Sequence, residues 1–162
     1  MTTTSAGLLF YRRLPGAGLE VLLGHMGGPF WARKDAGAWT VLKGEIDPGE
    51  EPHAAALREA GEELGLELPS SSAPDLELGE VRQRAGKRVF AWAREWPAPV
   101  PDLTRVAGNT VEIEWPPRSG RRLEIPEIDR VAWFTPDDAR RLVVSAQAAF
   151  VDRLENAVAE NA

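Results

Sequence analysis

The sequence predicts an α+β protein, a sheet with helices packed on its faces. Three observations carry this: β-rich runs recur along most of the chain, helical signals are confined to three separated stretches, and 162 residues fit one domain around one core. The first two runs, Ala6 to Arg12 and Leu19 to His25, flank "LPGAG", whose Pro and Gly make the turn of a hairpin. "AWTVLKGE" is a short third strand. "DLELGEVRQRAGKRVFAWAREW" reads as two strands around an Ala85-Gly86 turn, and "NTVEIEW" and "IDRVAWF" add two more. The helices are Pro52 to Leu64, Thr135 to Leu142 and Ala146 to Val158. In the second, Thr135 is the N-cap, Pro136 sits in the first turn, and Asp137 and Asp138 meet the positive end of the helix dipole. No internal repeat is present. Pro97 to Asn109 is irregular and long enough for a functional loop, or for a plain connector.

Composition narrows the function classes. With 43% hydrophobic and 27% charged residues the chain is of ordinary globular type, and its net charge of −6 argues against bulk binding to nucleic acid or to an anionic membrane. An anionic substrate would need local cations. Cysteine is absent, which excludes disulfides, thiolate metal sites and a cysteine nucleophile and suits a cytoplasmic setting. The apolar run Gly7 to Tyr11 is too short for a signal-peptide core or a membrane span, and nothing in the sequence points outside the cell.

The strongest local signal is "GEIDPGEEPHAAALREAGEELGL", Gly44 to Leu66, which holds seven carboxylates. On a helix Glu59, Glu62 and Glu63 fall at i, i+3 and i+4, inside an arc about 100° wide. His53, Leu57, Ala60 and Leu64 fall on the opposite side, a packing face. Gly61 costs about 1 kcal/mol of helix propensity, which suggests close backbone approach there, and Gly65 stops the helix with Leu66 placed for a capping contact. A solvated acidic face is the bland reading. Against it, no Lys or Arg occurs from Glu59 to Val81 to pair with these acids at i+4, so the fitting counter-charge is a hard divalent cation.

Gly44, Glu50, Arg58, Glu59, Glu62, Glu63 and Gly65 match the Nudix box, G-x5-E-x7-R-E-U-x-E-E-x-G-U, with Leu66 at the last aliphatic position and a small Ala60 at the first. The flanks "PFWARKDAGAWTVLKGE", "EWPPRSG" and "RVAWF" resemble a bacterial branch of nucleotide pyrophosphohydrolases, with Leu42 where many relatives carry Pro. The resemblance implies one Nudix domain over residues 1–162, a loop-helix-loop on a mixed α/β/α sandwich, and Mg²⁺-dependent (or Mn²⁺-dependent) hydrolysis of a nucleoside diphosphate linked to another group. It makes Glu59 and Glu63 the principal metal ligands, Glu62 a further ligand or candidate base, and the Gly44 carbonyl a backbone ligand. Arg58 and Glu50 become an ion pair that orients the helix.

Other residues join as candidates. Lys43 could touch a phosphate; Arg118, Arg121 and Arg122 could clamp a second one, against the alternative of a solvated turn. Period-two alternation puts Glu112 and Glu114 on one face of their strand. Because a metal-bound carboxylate has its lone pairs committed, this strand pair is favoured over Glu62 as general base. Trp39, Trp31 and Phe30 are candidates for nucleobase stacking or for the core. His25 and His53 read as structural. The expected substrate is nucleotide-like, a nucleoside triphosphate or dinucleoside polyphosphate. The alternatives are a non-catalytic Nudix-fold sensor or interaction module, which has no need of three box carboxylates, and an RNA 5′-pyrophosphohydrolase, which the acidic balance disfavours.

Overall fold

In the computed structural model, which describes residues 3–16, 18–71, 73–97, 102, 103 and 108–160, the N-terminal apolar run becomes strand β1, Thr4–Leu14. Its run is unbroken because both faces are covered. Leu8 and Phe10 enter one core with Leu64 of helix α1 (Pro52–Leu64), while Leu9 and Tyr11 enter another with Phe150 of helix α3 (Ala148–Glu160). The expected α+β arrangement, helices on both faces of a sheet, is what the structure contains. Helix α2, Pro136–Leu142, joins α3, and Thr135 Oγ1 caps it by accepting from Asp138 N at 3.3 Å.

The sheet is mixed. β1 pairs antiparallel with β2 (Gly18–Met26) through Tyr11↔Val21 to Leu14↔Gly18, and parallel with β6 (Arg88–Glu95), which pairs β5 (Leu76–Arg82) beyond it. β2 then leaves β1 and continues beside β9, Ile128–Phe134, and the two-residue β3, Trp39–Thr40. Its place next to β1 is taken by β4, Leu42–Glu45, paired Ser5↔Glu45 to Leu8↔Leu42. This fork sets Lys43 and Gly44 at the end of β4, just before α1, which packs across β1 and β4.

Three details differ from the sequence reading, and a fourth expectation is only partly covered. The expected third strand is two short strands, because the chain changes partner at Val41 from β2 to β1. A strand missed in "RRLEIP", β8 (Arg122–Pro126), pairs with β7 (Thr110–Glu114) as a separate two-stranded hairpin; its charged residues hid the alternation. A turn of 3-10 helix over Ser145–Gln147 delays the start of α3. The loop expected at Pro97 to Asn109 lies partly outside the described residues, at 98–101 and 104–107.

Gly61 also departs from expectation. A Cβ built there meets nothing closer than Leu66 O at 3.7 Å, an ordinary contact, so no backbone crowds it. Gly61→Ala is therefore expected to raise unfolding free energy by about 1 kcal/mol, read as a higher urea midpoint at unchanged slope. A lower midpoint would show that the position needs glycine.

Candidate active site

Helix α1 is held at both ends by local chemistry. The Glu51 carboxylate caps it, accepting from His53 N at 3.2 Å and Ala54 N at 3.0 Å, with Pro52 at the start where its missing N–H costs nothing. Gly65 ends it in the left-handed region (φ 66°) and donates to Gly61 O at 2.8 Å. Between the caps Arg58 acts as the fastener. Its Nε and Nη2 donate to the two Glu50 oxygens at 2.8 and 2.9 Å, Nη2 also reaches Glu45 O at 3.2 Å, and Nη1 donates to Glu59 Oε1 at 2.8 Å. The guanidinium holds the Glu50 carboxyl down to about 2, and Glu50 Oε1 also accepts from Asp47 N at 3.0 Å. One cation thus ties the loop before the helix to the helix face.

That face is not solvated. Glu59 is 8% exposed and Glu63 1% exposed, so two of the three helix carboxylates are buried, and of the three only Glu62 is exposed. A Cβ at Gly44 would lie 2.0 Å from Glu59 Oε2, so glycine there is what lets the carboxylate rest against the β4 backbone. Both Glu63 oxygens are buried and accept from no donor among the described residues; the Glu127 carboxylate faces them closely enough to share a proton. Burial first, then Glu127 and Glu59 alongside, pushes its carboxyl up to about 9; burial also raises Glu59, against the pull of Arg58. These groups line a cleft of about 610 Å³ with Gly44, Lys43, Lys87 and Asn109. Burial, and then the neighbouring Lys87 charge, lowers the Lys43 ammonium from its ordinary value, while Glu127, Glu63 and Glu59 oppose this.

The structure brings together Gly44, Lys43, Glu59 and Glu63, with Glu62 at the rim, where it accepts from Arg58 at 3.3 Å and from Asn109 Nδ2 at 3.0 Å. It does not bring in the rest. Glu112 is exposed and paired with Arg122 at 2.7 Å, and Glu114 Oε1 accepts from Arg118 N at 2.9 Å inside the β7–β8 turn. Neither lines the cleft, so the favoured strand pair is corrected: the alternation was real, but its polar face looks to solvent. Arg118 and Arg121 sit at the exposed hairpin tip, also away from the cleft. Trp39 is 4% exposed in the core, its Nε1 donating to Asp35 at 2.8 Å and its ring edge-on to Phe134, so it is no stacking platform. Phe30 and Trp31 pack edge to face outside the cleft. His25 is buried between Asp129 (3.1 Å) and Lys34 O (2.7 Å), and His53 pairs with Asp75 at 2.7 Å and stacks on Trp92, both structural roles.

Sequence reasoning missed Glu127, Asn109 and Lys87. The β7–β8 hairpin brings in the first two: Gly27 donates to Glu127 O, Glu127 N donates to Asn109 O at 3.0 Å, and Gly108 closes on the Glu63 carbonyl so tightly that a Cβ would sit 2.3 Å from it. The only signal was an acid isolated between two apolar residues in "IPEID".

The donors fit a hard divalent cation: carboxylates, no soft ligand, and two buried Glu63 oxygens that accept from no donor. As the side chains stand, among the described residues no three acidic or imidazole groups close into a coordination cluster, and Glu59 Oε1 accepts from Arg58. No helix among the described residues is long and apolar enough to cross a membrane.

A family model described as NUDIX domain matches residues 3–154. Over 120 residues the chain is 29% identical to an RNA pyrophosphohydrolase of Erythrobacter litoralis, covering 68% of this chain and 67% of that protein. Over 66 residues it is 39% identical to a bis(5′-nucleosyl)-tetraphosphatase (asymmetrical) of Caenorhabditis elegans, covering 41% of this chain and 43% of that one. The match thus spans between two fifths and two thirds of these relatives. Among solved structures, a binary complex of a C. elegans Ap4A hydrolase superposes with a TM-score of 0.66 at 22% identity over 98% of this chain and 99% of that one, a likeness of fold.

The raised Glu63 pKa has a thermodynamic consequence. Between the ordinary carboxylate value and about 9 the folded chain keeps a proton the unfolded chain has lost, so stability falls as pH rises through that window. In chelator-treated protein, Tm is expected to decline from pH 5 to pH 9 and the decline to flatten in Glu63→Gln. An equal decline in the variant would assign the titration elsewhere.

Proposed function

The chain belongs to the NUDIX domain family, and on that premise we propose that it hydrolyses a diphosphate linkage in a nucleoside triphosphate, dinucleoside polyphosphate or related nucleoside diphosphate derivative, with Mg²⁺ or Mn²⁺ as cofactor. The observation that carries this is the Glu63 carboxylate, buried and accepting from no donor beside Glu59 and Glu127 in an open cleft. Family members generally use divalent metal ions. Here Glu59, Glu63 and the Gly44 carbonyl would hold the ion, with Glu62 at the rim. When bound, it supplies positive charge for the phosphoryl oxygens and acidifies a water.

The chain's own groups do the rest. Lys43 and Lys87 meet phosphate as point charges, and Lys43, already desolvated, gives up little hydration in doing so. Arg58 keeps Glu59 in place through Glu50 and does not touch substrate. Glu127 takes the proton from the attacking water: it faces the helix carboxylates from another element and is in no ion pair among the described residues, whereas Glu62 is engaged by Arg58 and Asn109. Positioning and charge neutralisation are what phosphoryl transfer asks of a protein. We place the reaction in the cytoplasm, consistent with a chain free of cysteine, and read residues 1–162 as one hydrolase domain. A second reading, removal of a 5′-terminal pyrophosphate from RNA, draws support from the Erythrobacter relative.

One screen with Mg²⁺ separates these: a dinucleoside tetraphosphate, a nucleoside triphosphate and a 5′-triphosphorylated oligoribonucleotide, in ¹⁸O-water, scored for phosphate, pyrophosphate and monophosphate. Label is expected in a phosphate-bearing product and in no sugar hydroxyl. Glu127→Gln is expected to cut kcat by about 10²-fold or more, and Glu112→Gln by little. Label in a sugar would overturn attack at phosphorus; the reverse order of the two variants would return the base to the hairpin.

A further inference from the structure

The carboxylate cleft shares Gln83, Lys87 and Val144 of its lining with a second groove of about 630 Å³, so the two lie side by side. The two cavities are of similar size, each within the range that holds a nucleotide-sized ligand. Their charge balance differs. The first sets Glu45, Glu59, Glu63 and Glu127 against Lys43 and Lys87; the second carries Arg84, Lys87, Arg140 and Arg141 and, among the described residues, no acidic side chain. In a chain of net charge −6 this is a local inversion.

Not all of these cations are available. Arg140 is enclosed by Asp137, Asp152 and Glu155. Arg141 has only one distant partner, Asp138 at 3.3 Å, both groups being exposed, so that pair is worth little. Arg84 and Lys87 are in no ion pair among the described residues. The turn that carries them is rigidly mounted. Gln83 N donates to Lys87 O at 2.7 Å, and the Gln83 side chain accepts at 2.8 Å from Gln147, a fully buried amide that also donates to Thr40 Oγ1 at 3.0 Å and accepts from Val41 N at 2.9 Å. The strand that leads into Lys43 and Gly44 is thereby bolted to the turn that presents Arg84. Fixing cations in this way lowers the ordering cost of binding an anion.

Resting on the hydrolase reading above, we propose that this groove is a second nucleotide subsite, taking the far phosphoryl and nucleoside half of a dinucleoside polyphosphate, with Arg84 and Arg141 setting specificity for that half. The phosphate chain leaves the carboxylate cleft over Lys43, passes Lys87, which lines both cavities, and ends on the arginines. Trp31, Val143 and Val144 supply apolar wall for the nucleoside. A nucleoside triphosphate fills only the first cavity, so the arginines discriminate between the two substrates.

The test is a selectivity ratio. In the double variant Arg84→Ala/Arg141→Ala, the KM for diadenosine tetraphosphate relative to that for ATP is expected to rise about tenfold or more, with kcat for the dinucleotide changed far less; the double Lys variant should recover part of the loss. Calorimetry with a methylene-bridged, non-hydrolysable diadenosine tetraphosphate should show the same loss of affinity without turnover. An unchanged ratio, an equal loss for ATP, or a loss confined to a 5′-triphosphorylated oligoribonucleotide would each overturn the assignment. Because the bridged analogue reads binding alone, a wild type that binds it through the arginines but hydrolyses no anhydride would sink the hydrolase reading and leave the groove standing.

Discussion

A carboxylate buried without a donor is among the costlier features a fold can carry, because the charged form loses its hydration and gains nothing in return. Glu63 is such a group, and much of the surrounding architecture keeps it where it is. It lies one helical turn from Glu59, so a single helix aims both acids at the same spot. Arg58 locks that helix to the loop through Glu50, at distances of 2.8 and 2.9 Å that make the pair bidentate. Gly44 removes the one side chain that would displace Glu59, and Gly108 lets the opposing segment close on the Glu63 backbone. Left to itself the site relieves its strain by holding a proton; a divalent cation relieves it with function attached.

What was legible in the sequence was what depends on neighbours along the chain. The Gly65 stop of α1 and the spacing that sets Glu59 and Glu63 on one side follow from positions within a single segment, Gly44 to Leu66, and the match of that segment to the family's motif implied the Glu50–Arg58 pair; the Glu51 cap was missed. The alternating runs likewise gave most of the strands. What was not legible depends on tertiary closure. Glu127 reaches the site because a hairpin base docks on Gly27, and nothing within "IPEID" announces that partner. The same hairpin misled in the other direction: Glu112 and Glu114 alternate as an inward-facing pair would, yet β7 and β8 form their own two-stranded sheet, with Val111 and Leu123 left exposed. Trp39 failed as a stacking candidate because the residue type does not say whether an aromatic is covered, and here it is 4% exposed.

The charge distribution ties the fold to its chemistry. An acidic protein with the polyanionic substrate proposed above must separate its signs, and here they lie in two neighbouring grooves. Carboxylates gather on the helix side, and the cations gather on the β5–β6 turn and the end of α2, while the buried Gln147 amide ties that turn to Thr40 and Val41.

The account stands on Glu63 being a cation seat and not a structural acid. Its most direct measurement is Mn²⁺ binding by calorimetry to chelator-stripped protein, wild type against Glu63→Gln, with circular dichroism to show that both are folded. The account predicts that the variant folds and binds Mn²⁺ at least about tenfold more weakly. Equal affinity in a folded Glu63→Gln protein would contradict it.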